Sequence, residues 1–197
     1  DEIRIAAGGD AGDDAAGLGA RAIRVEGLDE NWDEIVEDIT TAGASASAVT
    51  ANTFIRVNRA YVTDTGTYTG ANTGDIDIET EAGTTIARIQ ADVGQTEMAL
   101  YSVPNNKTAF ITRLQASWDS NKSGDVRFYQ RPNGDNVTAP FSSRRIAGQR
   151  IALSGETVLD FTSYPAAPPR TDLWASAKAN TTPGSLNINF DVIVVDD

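Results

Sequence analysis

From Arg21 onward, apolar residues recur at a period of two, and no stretch of helical length shows a period of 3.6. Successive side chains of a strand point to opposite faces, whereas a helix face repeats every 3.6 residues, so this pattern argues against a helical core. The last segment carries it furthest. Leu186, Ile188, Phe190, Val192 and Val194 fall on one face and Asn187, Asn189 and Asp191 on the other, and Val192 to Val195 is wholly apolar. The same reading predicts strands over 22–28 and 33–40, joined through a hairpin turn at Asp29-Glu30-Asn31-Trp32. Others are predicted over 53–62, 75–80, 85–89, 97–103, 108–118, 125–130, 149–153, 157–161 and 172–177. Within 108–118, Phe110, Leu114 and Trp118 are expected on one face. Short strands linked by Gly, Asn, Asp and Pro indicate an all-β fold, read here as a β-sandwich of jelly-roll type.

Residues 1–20 read differently. Ala6 to Ala20 is Gly, Asp and Ala almost throughout and has no usable periodicity, so 1–20 is expected to be an irregular N-terminal arm or loop. Residues 21–197 are then read as one β-sandwich domain, the alternative being a subdivision near 92–95. The small polar run 41–52 reads as a loop. So does SYPAAPPR (Ser163 to Arg170), because each proline removes a ladder donor.

The chain contains no histidine and no cysteine. A Ser-His-Asp triad, a Cys-His pair, a His-ligated metal and a thiolate site are thereby excluded. Carboxylate pairs remain, Asp77 with Glu79 and Glu34 with Glu37, but each is expected on the solvent face of a strand, and no lysine has an apolar setting that would make it a base. The protein is therefore read as non-enzymatic and without a cofactor. Asp10, Asp13 and Asp14 resemble the start of an oxygen-donor loop for a structural Ca²⁺ or Mg²⁺ ion, although the closing glutamate of a helix-loop-helix calcium site is missing.

Charge narrows the partners. With 28 Asp and Glu against 16 Lys and Arg, the net charge of −12 argues against nucleic acid and anionic membranes, which both need a basic footprint. Aspartate is abundant and only Lys107, Lys122 and Lys178 are lysines, a composition suited to molar salt, where the Debye length is about 3 Å. Arg144, Arg145 and Arg150 form the only basic cluster. Two readings stay open for it: an interface meeting a carboxylate-rich neighbour, or pairing with local aspartates. Trp32, Trp118 and Trp174 could stack on a sugar, though scattered tryptophans more often fill a core. N-x-S/T sequons begin at Asn106, Asn121, Asn136 and Asn180.

Three stretches carry a resemblance: VEGLDENWDE (Val25 to Glu34), TFIRVNRAYV (Thr53 to Val62) and GQTEMALYSVPNNKTAFITRL (Gly94 to Leu114), followed by a closing strand ending VIVVDD. This order of segments resembles a family of small virion structural proteins of tailed phages. Members usually have a longer N-terminal segment, so some of it is expected to be missing before Asp1. Together with the acidic composition, the resemblance implies a tailed virus of haloarchaea. It implies a capsid decoration or turret subunit, assembled in the host cytoplasm and placed on the particle surface. Its partners would be itself, as a trimer or higher ring, and the major capsid protein. A tail or receptor-binding component, with the loop Tyr61 to Thr73 at its tip, and a carbohydrate-binding module are the alternatives. The family implies no active-site residues.

Overall fold

The structure, a computed structural model, describes residues 1–67, 70–119, 122–136, 138, 142–180 and 185–197. Among them there is no helix, and every ladder between named strands is antiparallel. The chain divides into two compact units, Asp1–Met98 and Ala99–Asp197. The expectation of one domain over 21–197 is therefore corrected. The boundary lies a few residues beyond 92–95, and each unit has its own apolar core.

Unit 1 contains β1 (Ile3–Ile5), β2 (Ala20–Leu28), β3 (Glu34–Thr40), β4 (Arg56–Thr65), β5 (Ile76–Thr80) and β6 (Thr85–Ile89). They form two three-stranded sheets, ordered β1-β5-β6 and β3-β2-β4. The β2–β3 hairpin turns where the sequence places it. The Asp29 carboxylate accepts from the amides of Asn31 and Asp33, and Trp32 takes the left-handed conformation at φ 67°. Ile23, Val25, Ile78 and Ile89 are fully buried at the centre of the unit.

The first twenty residues are not an arm. Ile3 and Ile5 alternate with charged neighbours, pair with Thr80 and Ile78, and are buried. The run 41–52 guards the other edge of β1: the Ile3 and Ile5 amides donate to the hydroxyls of Thr50 and Ser47, at 3.0 and 2.9 Å. Those two residues return their own amides to the Ile3 and Ile5 carbonyls. Small hydroxylated residues thus cover a strand edge that would otherwise be left open.

Unit 2 contains β7 (Leu100–Ser102), β8 (Lys107–Trp118), β9 (Gly124–Arg131), β10 (Arg145–Leu153), β11 (Gly155–Asp160), β12 (Ala166–Ala167), β13 (Asp172–Ala179) and β14 (Leu186–Asp196). One sheet runs β10-β9-β13-β7. In the other, β8 is central, with β11 and β12 on one side and β14 on the other. Two-residue β12 lies inside SYPAAPPR, where Ala166 and Ala167 sit between two prolines and pair with Phe110 and Ala109. Phe110 does not share a face with Leu114 and Trp118. The β8–β14 register slips between Asp191 and Val192, opposite Thr112, so Ala109 and Ile111 turn inward with Leu114, Ala116 and Trp118. The inward residues of both sheets form one apolar cluster.

Candidate interaction surface

β10 and β14 each end a sheet, and neither has a second strand neighbour among the described residues. An end strand presents unpaired amide and carbonyl groups, which natural proteins usually blunt with charge or bulges. β10 has both devices: its register slips twice along β9, and it carries Arg145 and Arg150. It nevertheless leaves Ile146 and Ile151 54 % and 59 % exposed.

The three arginines of the basic cluster come together around this strand. The Arg144 guanidinium lies 4.9 Å from the Tyr129 ring centroid. Arg150 donates to the Gln149 carbonyl and, at 3.4 Å, to the Thr157 hydroxyl. Among the described residues, none of Arg144, Arg145 and Arg150 pairs with a carboxylate. The geometry thus gives no support to local pairing and leaves three cations available to an outside acid. The far end of β10 is held by Asp125, whose carboxylate accepts from the amide of left-handed Ala152 (φ 51°) and from Asn180, both at 3.1 Å. Those bonds, the Ala152 amide first, hold the Asp125 carboxyl below the ordinary carboxylate range.

β14 is long, apolar and incompletely covered. Its inward residues Leu186, Ile188, Phe190, Val192 and Val194 pack on the unit 2 core, yet all five are only half-buried. On its outward face Ile193 and Val195 are 51 % and 41 % exposed. Beside β10, Tyr129 stacks on Trp174 with ring centroids 5.1 Å apart. Tyr129 is buried beneath this contact and that of Arg144, while Trp174 stays half-buried. Trp118 is buried in the core, and Trp32 is buried in its turn with the Arg56 guanidinium 5.0 Å from its ring, so a platform of three tryptophans does not form.

The carboxylates singled out from the sequence are engaged in holding unit 1 together. Asp13 is 4 % exposed. Its Oδ1 accepts from the amides of Ala20 and Thr73, and its Oδ2 from Gly74. Asp10 accepts from the Gly12 amide and the Thr73 hydroxyl, and Asp14 from the Ala16 amide. No cluster of three carboxylates suited to a cation is found among the described residues. Asp77 makes a two-pronged pair with Arg88 at 2.6 and 2.7 Å. Glu79 pairs with Arg4 at 2.7 Å and is buried rather than solvent-facing, a correction to its predicted position. Glu37 accepts from the amides of Ala51 and Asn52. Arg24 holds the Asp38 carboxyl low through a side-chain hydrogen bond on the exposed face of β2 and β3. Of the sequons, Asn121 lies outside the described residues.

Comparison with known proteins finds no matching family, no matching curated protein and no matching solved structure. The half-covered inner face of β14 and the exposed isoleucines of β10 are the features that sequence reading missed. Alternation marks which residues face a core but not whether the sheet continues past the strand that carries them.

Proposed function

We propose that this chain is a non-enzymatic virion structural protein, a capsid decoration or turret subunit that acts through protein–protein contacts. One observation carries the reading. Unit 2 leaves a long apolar end strand half-covered while its net charge is close to zero, whereas unit 1 holds all of the excess acid. Apolar surface of this kind on a stable β unit marks an interaction site. The engagement of the candidate carboxylates in ion pairs and backbone bonds speaks for structural work rather than acid–base chemistry. The resemblance to tailed-phage virion proteins supplies the setting: the particle surface, with the chain itself and the major capsid protein as partners. Unit 2 is read as a β-sandwich of jelly-roll type, supported by one apolar cluster drawn from two sheets.

Half-buried Trp174, stacked on Tyr129, favours a second reading as a glycan-binding module. Co-sedimentation of the protein with tailed-virus capsids in molar salt, alongside a screen of soluble glycans, separates the two. Saturable capsid binding without glycan affinity is the expected result. Glycan binding that disappears in Trp174→Ala, with no capsid binding, would replace the first reading by the second.

A further inference from the structure

Two of the end strands of unit 2, β10 and β14, carry opposite charge. Residues 136–155, which include β10, hold three arginines and no carboxylate. From residue 179 onward, which includes β14, there are three aspartates and no lysine or arginine. Both strands also expose large aliphatic side chains, Ile146 and Ile151 on β10 and Ile193 and Val195 on β14. Of the acids, Asp191 is exposed, and Asp196 pairs with Lys107 at 3.7 Å.

We propose that the β10 edge of one copy docks on the β14 edge of a second copy, so that this protein assembles head to tail through unit 2. The inference rests on the self-associating part of the reading above and adds the surfaces that do it. A second copy is the occupant because the chain supplies both halves of the match. Arginines without an intramolecular carboxylate meet aspartates on a strand without a cation, and exposed isoleucines meet exposed isoleucine and valine. Pairing would also occupy the open backbone edge of each strand and bury the half-covered stripe from Leu186 to Val194. Because the two surfaces differ, the contact is heterologous. Successive copies joined in this way close into a ring or run on as a filament. At molar salt long-range attraction is screened within about 3 Å, so close bidentate and apolar contacts are what hold the assembly.

Charge exchange tests this on the full chain. Light scattering in molar salt is expected to give a multimer for the unaltered protein. Arg145→Glu with Arg150→Glu places acid on both edges, and Asp191→Arg with Asp196→Arg places base on both. Each double variant is expected to weaken association about tenfold or more. Mixing the two restores association in alternating order, and the chain carrying all four changes reassembles by itself. Ile193→Asn, which leaves charge untouched, weakens association too. Circular dichroism and thermal melting confirm that each variant is folded. Folded double variants that keep the multimer mass overturn the proposal, as does a four-fold variant that stays dispersed. A multimer indifferent to these changes leaves the capsid reading standing, and capsid co-sedimentation judges that reading separately.

Discussion

The two units reach stability by different means although both are built only from antiparallel strands. Unit 1 holds 19 carboxylates against 6 basic side chains, a net charge of −13, while unit 2 holds 9 against 10, a net charge of +1, which together give the −12 of the whole chain. The core of unit 1 consists chiefly of buried residues, and the edge of its first strand is covered by Ser47 and Thr50. In unit 2 a large part of the apolar cluster is half-buried, including one entire face of β14. The difference teaches that an acidic composition need not describe a whole surface. The acid is concentrated on the unit whose core is largely buried, and near-neutrality goes with the unit whose apolar cluster is in large part half-buried. Like charges hinder close approach of copies, whereas a neutral apolar edge invites it.

The largest expected effect comes from the cores. Ile78→Ala removes a fully buried side chain from unit 1 and is expected to cost about 4 kcal/mol. Phe190→Ala, on the half-covered face of β14, is expected to cost about 2 kcal/mol in dilute protein, because part of that ring is already in water. The cost should grow with protein concentration if association buries the ring. Melting curves over a hundredfold range of concentration check both values, and a concentration-independent Phe190→Ala cost near that of Ile78→Ala would erase the contrast between closed and open cores.

Asp13→Ala comes next, at about 3 kcal/mol, since it strands the amide of buried Ala20 and the part-buried amides of Thr73 and Gly74. Hydrogen exchange should show the loss in Asp1–Met98 and leave Ala99–Asp197 protected. Loss of protection spread evenly over both units would mean that they fold as one. The same variant bears on the cation reading of Asp10, Asp13 and Asp14: stabilisation of the unaltered protein by millimolar Ca²⁺ that vanishes in Asp13→Ala would revive it.

The smallest effect concerns salt. Diluting from about 1 M to about 0.01 M lengthens the Debye distance from about 3 to about 30 Å and restores self-repulsion. Exchange protection in unit 1 should fall about tenfold on this dilution, while unit 2 stays nearly constant. Equal sensitivity in both units would return the salt adaptation to the chain as a whole.

Alternation of apolar and polar residues by itself determined that this protein is all-β, which residues of most strands face inward, and where the first hairpin turns. These are local properties, set by the two-residue repeat of a strand and by the turn chemistry of Asp29. The absence of histidine and cysteine likewise removed whole classes of chemistry, and the clustering of Arg144, Arg145 and Arg150 is plain in the chain. Other features depended on contacts between distant segments. The Gly/Asp-rich start became part of a unit because Asp13 binds amides sixty residues away, at Thr73 and Gly74, and because Ile3 and Ile5 found a strand beyond Asp75. One slipped register opposite Thr112 moved Phe110 to the outer face of its sheet. Tertiary structure alone decided that these arginines pair with no carboxylate among the described residues and that β10 and β14 end their sheets. Strand order is fixed by pairing between remote segments, and the pattern within a strand is the same whether or not a neighbour lies beyond it.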